Sequence, residues 1–340
     1  MSTDGGGSAG APRSGEDALI ARHFAPLATA AGALALTDDT AFYSPPPGFD
    51  LVLTKDAVAS GIHFLPDDPG ATVARKALRV NLSDLAAKGA TPVGYLLALG
   101  LPDGWTEDWL ADFAAGLAAD QQTYGVSLYG GDTIRTIERA VISITAFGLV
   151  PTGGMVRRGA AQPGDRIVVT GTIGDAAIGL KLRLDAGLGE RLGLAVSDVD
   201  HLLDRYAHPQ PRVAAAAVVR DHARAAMDVS DGLVGDLRKM ATTSGVAIRL
   251  DAARVQLSPA GAAAVAADPA LLLTAITGGD DYEIAAAVPP DAVAAYIAGC
   301  AAAGVAATEI GEAFAGEPGV TVTGADGAGL AIERGSFSHF

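Results

Sequence analysis

The sequence predicts a two-domain α/β protein, and three observations support this prediction. The chain has 340 residues, and a single hydrophobic core rarely organises that many. Short apolar segments typical of strands alternate with longer segments whose apolar residues recur every three or four positions, as in amphipathic helices. A glycine-rich segment, residues 151–165, interrupts this alternation. We therefore place one α/β domain over residues 15–150 and a second over residues 151–340.

The first fourteen residues are rich in glycine, serine, alanine and proline, a composition that favours disorder. We expect residues 1–14 to form a tail outside the two domains. Ser14, followed three residues later by Asp17, resembles a capping box. This pattern predicts a helix that continues to about Phe24, before Pro26.

The first domain is predicted to contain long strands separated by helices. From Ala74 to Leu85, apolar residues recur at steps of four, four and three, which is typical of a helix with one buried face. Thr106 is a candidate N-cap for the following helix. The predicted elements are strands over residues 50–58, 93–101 and 140–150 and helices over residues 69–88 and 106–124.

The second domain is predicted to alternate shorter strands with helices. Pro211 is placed in the first turn of one helix, where proline is tolerated. Ser244 and Gly245 are expected to end another helix. The predicted elements are strands over residues 166–170, 225–229, 246–250, 282–288, 305–310 and 320–323 and helices over residues 174–184, 211–222, 231–243 and 291–303.

Composition argues against several classes of protein. The formal net charge is −15, whereas nucleic acids and anionic membranes select basic surfaces. The one cysteine, Cys300, allows no internal disulfide and is expected to be a small buried apolar residue. No apolar run reaches transmembrane length, and no signal peptide is visible. We expect a cytoplasmic protein whose partners include neither nucleic acid nor membrane.

The usual phosphate-loop, dinucleotide-binding and H-E-x-x-H motifs are missing from the chain. Instead, six aspartates lie among glycine, serine and threonine, which leaves their oxygens accessible. Mg2+ prefers oxygen ligands and phosphates, so these residues predict a multi-metal site for a polyphosphate if the fold gathers them. Singly, each is more typical of a turn or helix cap. The six are Asp39, Asp56, Asp84, Asp132, Asp228 and Asp231.

Glycines near these aspartates allow two interpretations. Gly130 and Gly131 before Asp132 would let backbone amides approach phosphate oxygens. Asp231 begins a predicted helix, where it is either a ligand or only an N-cap. The glycine-rich turn over residues 170–180 suits tight packing of a helix on a sheet at least as well as it suits anion binding.

Six motifs resemble one enzyme family when taken in order: NLSDLAAKGATP, GGDT, RRGAAQPGD, MDVSDGL, GGDDYEI and SFSHF. The family is thiamine-monophosphate kinase, in the ATP-binding superfamily that includes aminoimidazole ribonucleotide synthetase. The resemblance extends from about residue 15 to the C-terminus, and KDAVASGIHFLP, GGDDYEI and the aromatic ending are its most specific parts. It implies the aminoimidazole ribonucleotide synthetase-like fold, with an N-terminal mixed sheet that pairs across a homodimer and a second α/β domain.

The resemblance also implies ligands and their contacts, namely ATP as co-substrate, thiamine monophosphate as acceptor and several Mg2+ ions. The implied ATP contacts are Gly131, Asp132, Arg158 and Ser230. The implied thiamine monophosphate contacts are His63, Asp280 and Phe337. The implied metal ligands are Asp39, Thr54, Asp56, Asp84, Asp132, Asp228 and Asp231. Without the family, a histidine in GIHF is more typical of a hydrogen-bonded loop residue.

The chain departs from the usual family pattern at four positions: Thr37 stands for glycine, Lys55 for threonine, Asp280 for glutamate and Phe337 for tryptophan or tyrosine. Lys55 matters most, because an ammonium group between Thr54 and Asp56 could repel a metal ion or take over part of its work on the phosphates. The metal count stays open for this reason.

The implied reaction is direct in-line transfer of the γ-phosphoryl group of ATP to the phosphate of thiamine monophosphate. Because a phosphate monoester has its second pKa near ~6, the acceptor is ionised at neutral pH and needs no strong general base. Two alternatives stay open: a superfamily enzyme with a different acceptor, and a nucleotide-binding homologue without turnover. The position of Cys300 and the ending SHF disfavour the selenophosphate-forming and hydrogenase-maturation relatives, which tend to use terminal cysteines.

Overall fold

The computed structural model describes residues 15–324, 326–332 and 335–336. The predicted tail and Phe337 lie outside the described residues. The chain divides into two compact units whose segments interleave along the sequence. The first unit comprises residues up to Tyr43, Asp56–Ala77 and Gly94–Thr145, and the second comprises Ser44–Lys55, Leu78–Val93 and the chain from Ala146 onward. The domain boundary at residues 150/151 stays a prediction.

Two sheets are formed in the described part of the chain. The strands are β1 (Phe49–Ala59), β2 (Thr91–Leu101), β3 (Ser127–Arg135), β4 (Val141–Pro151), β5 (Arg166–Thr170), β6 (Ala225–Asp228), β7 (Ala247–Asp251), β8 (Ile284–Val288), β9 (Ala307–Phe314) and β10 (Gly319–Thr323). One sheet has the order β1-β4-β2-β3 and the other β10-β7-β9-β5-β8-β6. In the second sheet β10 is parallel to β7, while β5 is antiparallel to β8 and β9. The predicted α/β class is confirmed.

Helices connect the strands. They are α1 (Glu16–Leu19), α2 (Gly70–Ala87), α3 (Glu107–Tyr124), α4 (Asp175–Leu184), α5 (Leu188–Arg191), α6 (Val196–Ala207), α7 (Ala216–His222), α8 (Leu233–Ser244), α9 (Pro259–Ala267), α10 (Leu271–Thr277) and α11 (Val293–Ala302). Of these, α2, α3, α4, α8 and α11 lie in segments predicted to be helical, whereas α5, α6, α9 and α10 lie in segments for which the sequence predicted no helix. A π-helical turn over Ile20–Phe24 continues α1. None of the helices among the described residues is long and apolar enough to cross a bilayer.

Helix α3 begins and ends at the residues that capping chemistry predicts. The Thr106 hydroxyl accepts a hydrogen bond from the Trp109 amide, and Gly125 ends the helix with a left-handed φ of 68°. In the first unit, a Cβ atom at Gly116 would come within 2.6 Å of the carbonyl oxygen of Ala71. Glycine therefore allows α3 to lie close against the first half of α2.

Three neighbouring strands of the six-stranded sheet, β5, β8 and β6, are buried on both faces. In β5, Ile167 and Val169 join a core that includes Leu237 of α8, whereas Val168 joins another that includes Tyr296 of α11. Successive side chains of a strand point to opposite faces, so helices cover both sides of this sheet. Apolar residues on both faces explain why these three strands read as nearly continuous apolar runs.

The helix predicted to begin at Pro211 begins later. A 3-10 turn over Val213–Ala215 precedes α7, which starts at Ala216. Arg212 has a non-helical ψ of 46°, and its guanidinium group donates to the buried carboxylate of Glu283. A long-range ion pair therefore sets the backbone where the local sequence suggested a helix.

Candidate functional site

A cavity of about 430 Å3 in the second unit collects charged residues from several predicted motifs. We call it the second-unit cavity. Basic, acidic and hydroxyl side chains border it together with a few apolar ones. The polar residues are Thr54, Asp84, Lys88, Arg157, Arg158, Asp228, Ser230, Asp236 and Lys239, and the apolar ones are Val52, Leu53, Leu85, Met155 and Met227.

Strand β1 and helix α2 bring the first pair of predicted ligands together. The hydroxyl group of Thr54 donates a hydrogen bond to Oδ2 of Asp84. Because successive side chains in a strand alternate between faces, Lys55 leaves β1 on the face opposite Thr54 and Asp56. This alternation argues against an ammonium group aimed directly between those two residues.

Lys88 lies one helical turn after Asp84 and follows the end of α2. Its Nζ atom donates to the carbonyl oxygen of Ala226 in β6 at 2.7 Å. Burial lowers the pKa of Lys88 below its usual value, although the nearby carboxylates of Asp228 and Asp84 oppose this shift. The ammonium group is thus fixed beside Asp228, which is itself a buried residue at the end of β6.

The turn between β6 and α8 is held by a buried carboxylate. Oδ2 of Asp236 accepts the backbone N–H groups of Ser230 and Asp231 at 3.0 and 2.9 Å. Burial raises the pKa of Asp236, whereas its bonds to Lys239 and to the Asp231 amide act in the opposite direction. The N-cap position of α8 is occupied by Gly232, with φ 115°, so the N-cap interpretation of Asp231 is wrong.

The far end of α8 holds the segment that carries Arg158. The Ser244 hydroxyl donates to the carbonyl oxygen of Arg158 at 3.3 Å, and its oxygen accepts the Ala161 N–H at 3.2 Å. Gly159 lies against the backbone of Thr243, where a Cβ atom would come within 2.9 Å of a carbonyl oxygen. Helix α8 therefore positions two predicted ATP contacts, Ser230 at its start and Arg158 at its end.

The GGDDYE segment pairs with the same turn through its backbone. The N–H of Asp280 donates to the Ser230 carbonyl at 2.9 Å, and the N–H of Tyr282 donates to Val229 at 2.8 Å. Asp280 and Tyr282 have φ values of 70° and 52°, a left-handed conformation that is rare for residues other than glycine. The predicted substrate residue Asp280 is thus fixed relative to Ser230, in a strained segment.

A buried ion network lies under this segment. Glu283, which is fully buried, accepts hydrogen bonds from Arg205 at 3.1 Å, from Thr170 at 2.7 Å and from two guanidinium nitrogens of Arg212, Nε and Nη2. The neighbouring Asp281 accepts the Gly174 N–H at 2.9 Å. The glycine-rich turn over residues 170–180 is consequently tied to GGDDYE, which supports its packing interpretation.

Burial makes the carboxyl group of Asp281, beside this network, an unusually weak acid. Burial raises the pKa of Asp281 well above the usual value for aspartate, against the lowering effect of the Gly174 hydrogen bond. The carboxylates of Asp175 and Glu283 raise it further. One oxygen of Asp281, Oδ2, finds no partner among the described residues.

A second cavity, of about 660 Å3, lies in the first unit, and we call it the first-unit cavity. Three predicted residues, Asp39, Gly131 and Asp132, border it together with apolar side chains such as Phe24 and Leu96. Gly130, Gly131 and Asp132 lie inside β3 and not in a loop after a strand. A Cβ atom at Gly131 would overlap the carbonyl oxygen of Leu97, so close approach of β2 explains this glycine.

His63 and Asp56 complete the predicted residues of the first unit. The Nδ1 atom of His63 accepts a hydrogen bond from the Ala59 N–H at 3.1 Å, which assigns the ring proton to Nε2. This is the loop hydrogen bond expected without the family, and it leaves Nε2 as a donor. Asp56 is exposed on β1.

The oxygens of the second-unit cavity fit a Mg2+ ion whose shell is completed by water and by phosphate oxygens. Across the described residues, no three histidine, cysteine, aspartate or glutamate side chains lie close enough to hold a metal ion on their own. Mg2+ usually takes one or two carboxylates and completes its shell with water and substrate phosphates. The hydroxyl–carboxylate pair of Thr54 and Asp84, with Asp228 on the same cavity, provides hard oxygens of this kind.

Sequence reasoning missed four charged residues of the second-unit cavity: Lys88, Arg157, Asp236 and Lys239. For two of them a local signal exists. Lys88 follows Asp84 by four residues, directly after α2 ends, and Lys239 follows Asp236 by three within α8, spacings that place side chains on one helical face. The spacing alone does not say that these faces border a cavity.

Comparisons with known proteins agree with the motifs. The model for the AIR synthase related protein N-terminal domain matches residues 37–150, and the corresponding C-terminal domain model matches residues 162–323. The chain is 46% identical over 289 residues to a thiamine-monophosphate kinase of Caulobacter vibrioides, covering 84% of this chain and 80% of that one.

Solved structures show the same likeness. Thiamine-monophosphate kinase of Stenotrophomonas maltophilia K279a is 38% identical, with a TM-score of 0.78 over 87% of this chain and 91% of that one. The structure of AaThiL complexed with AMPPCP and TMP is 30% identical, with a TM-score of 0.76 over 89% of this chain and 91% of that one. The expected fold and the resemblance are confirmed: the chain belongs to the thiamine-monophosphate kinase family of AIR synthase related proteins.

Proposed function

We propose that this protein transfers the γ-phosphoryl group of ATP to thiamine monophosphate, giving thiamine diphosphate, in the cytoplasm and with Mg2+. One observation carries the proposal on the structural side. The second-unit cavity sets Lys88, Arg157, Arg158 and Lys239 beside the carboxylates of Asp84 and Asp228. Such a mixture suits a metal–polyphosphate complex, since the basic groups match phosphate and the carboxylates match a cation. The relatives named above support the same substrates.

The proposed role of the cavity residues is largely electrostatic. The acceptor phosphate is already ionised at neutral pH, so no side chain must remove a proton before attack. Arg158 and Lys88 would offset the charge of the two anions and orient them, and Ser230 would donate a hydrogen bond to the nucleotide. When bound, Mg2+ supplies positive charge between phosphate groups that otherwise repel each other.

The proposed assignments keep the family pattern. Thr54, Asp84, Asp228 and Asp231 would hold Mg2+ from the second unit, while Asp39, Asp56 and Asp132 remain predicted ligands on the resemblance alone. Gly131 and Asp132 would contact ATP. His63 and Asp280 would contact thiamine monophosphate, and Phe337 would stack on its cationic ring.

The family resemblance also leads us to propose a homodimer. Strand β1 exposes Leu51 and Leu53, with 38% and 63% of their surfaces accessible, and β2 exposes Leu96. Apolar side chains that recur on strands in this way are typical of a surface covered by a partner. This pattern supports pairing of two copies through the four-stranded sheet.

Turnover tests the proposal directly. Purified protein with ATP, Mg2+ and thiamine monophosphate is expected to form thiamine diphosphate, detected chromatographically, and Asp56→Asn is expected to abolish it. Bound ATP without product would favour another acceptor or a homologue without turnover. A Lys55→Thr variant separates these two outcomes, because activity gained on this change alone would identify Lys55 as the disabling residue.

A further inference from the structure

The side chain of Lys239 bridges two carboxylates at the start of α8. The Nζ atom of Lys239 donates to Oδ2 of Asp231 and, at 2.7 Å, to Oδ1 of Asp236. Lys239 follows Asp236 by three residues, so the two side chains share one face of the helix. The lysine therefore joins a residue within α8 to the turn that precedes the helix.

The two carboxylates differ in how firmly they are held. The side chain of Asp236 is completely buried, and its other oxygen accepts the N–H groups of Ser230 and Asp231. The side chain of Asp231 is 39% exposed. Loss of the lysine from Asp231 would leave the bonds between Asp236 and the turn in place. Asp231 is therefore the side of the bridge that can exchange its cation.

We propose that Lys239 is a built-in counter-ion of Asp231 in the metal-free protein, and that a divalent cation takes its place on that carboxylate. The proposal rests on Asp231 being a metal ligand, as in the proposed function. An ammonium group and a divalent cation on one carboxylate repel each other. Binding of the cation and the lysine contact therefore compete.

Replacement of Lys239 by a cation on Asp231 would give the lysine a second role, in phosphate binding. Once it leaves Asp231, the ammonium group stays tethered by Asp236 and still borders the second-unit cavity. It is then able to donate to a phosphate oxygen, a strong charge-assisted hydrogen bond. Arrival of the cation would thus release a phosphate-binding group at the same place.

Binding of Mn2+ in the absence of nucleotide tests this inference without relying on activity. Free Mn2+ is measured by electron paramagnetic resonance with the full chain, Lys239→Met and the matched control Lys181→Met, since Lys181 is exposed on α4 and outside the cavity. We expect Lys239→Met to bind Mn2+ about threefold to tenfold tighter. Lys181→Met and the charge-conserving Lys239→Arg are expected to bind like the unmodified protein.

Thermal unfolding provides an independent readout. Without a divalent cation, Lys239→Met leaves two carboxylates uncompensated, so its midpoint is expected to fall. Added Mn2+ is expected to raise the midpoint of this variant more than that of the unmodified protein. If Lys239→Met does not fold, Lys239→Gln carries the same comparison with a neutral hydrogen-bond donor.

An Asp231→Asn variant distinguishes failure of this inference from failure of the proposed ligand role of Asp231. If it weakens Mn2+ binding while Lys239→Met changes nothing, Asp231 is a ligand and the counter-ion role of Lys239 is overturned. If Asp231→Asn also leaves Mn2+ binding unchanged, Asp231 is not a ligand, and both this inference and that part of the proposed function are wrong.

Discussion

The hydroxyl group of Thr54 in β1 donates a hydrogen bond to the carboxylate of Asp84 in α2. The two residues come from separate motifs, LTKDAV and NLSDLAA, and lie side by side in the second unit. The bond restrains the carboxylate, which borders the second-unit cavity and keeps further lone pairs for other partners. A hydroxyl–carboxylate pair of this kind is suited to a hard cation.

Replacing Asp84 by asparagine is expected to lower kcat/KM for thiamine monophosphate by about a hundredfold or more, because the charge that attracts the cation is removed. The kinetics are compared with those of Asp291→Asn, which makes the same chemical change at an exposed position. Unchanged circular dichroism would show that the fold is retained. Full activity of Asp84→Asn would contradict the proposed ligand role.

The ion network of Glu283 is expected to stabilise the protein strongly. Glu283→Ala leaves the guanidinium groups of Arg205 and Arg212 without their carboxylate, and breaking a buried pair in this way typically costs about 3–5 kcal/mol. The free energy of unfolding is measured in urea. Glu283→Gln keeps an acceptor oxygen and is expected to lose less.

The same substitution probes the position of Asp280. Since Glu283 anchors the strained segment that carries Asp280, Glu283→Gln is expected to raise KM for thiamine monophosphate more than it lowers kcat. If Glu283→Ala were as stable as the unmodified protein, the ion network would not stabilise the fold as expected. If Glu283→Gln left KM unchanged, Glu283 would not fix the position of Asp280.

Cys300 is predicted to make stability depend on alkaline pH. Complete burial raises the pKa of its thiol from 9.0 to about 11. Between these values the unfolded chain holds fewer protons than the folded one, so stability falls as pH rises. The contribution is fully present below pH 9, and its loss amounts to roughly 2–3 kcal/mol for a shift of about two pKa units.

Cys300→Ala separates this effect from other alkaline titrations. The free energy of unfolding is measured for both proteins at pH 8 and pH 11, and the advantage of the cysteine protein is expected to shrink over this range. A difference that stays constant with pH would mean that the thiol does not titrate as burial predicts.

The proposed homodimer predicts that Leu51→Glu shifts the protein toward a monomer, because a buried, unpaired charge at an apolar interface is costly. Molar mass is measured by light scattering at micromolar concentration. Leu184→Glu introduces the same charge at a leucine of α4 that is 67% exposed, and is expected to leave the dimer intact. A monomeric unmodified protein would overturn the proposal.

Local patterns predicted most elements because helices and strands have fixed periods. The face of α2 read from Ala74 to Leu85 is buried, and Gly245 ends α8 in the left-handed conformation. The helix start placed at Pro211 was wrong, since α7 begins at Ala216, and Arg212 pairs with Glu283, which lies 71 residues further along the chain. A local pattern carries no information about such a partner.

The sequence by itself determined the α/β class, the family and the kinds of side chain available for metal and phosphate. Only the tertiary structure decided which of these side chains meet, as Thr54 meets Asp84 and Lys239 bridges Asp231 and Asp236. The physical reason is that backbone periodicity depends on neighbouring residues, whereas hydrogen-bond partners depend on the packing of segments far apart in the chain.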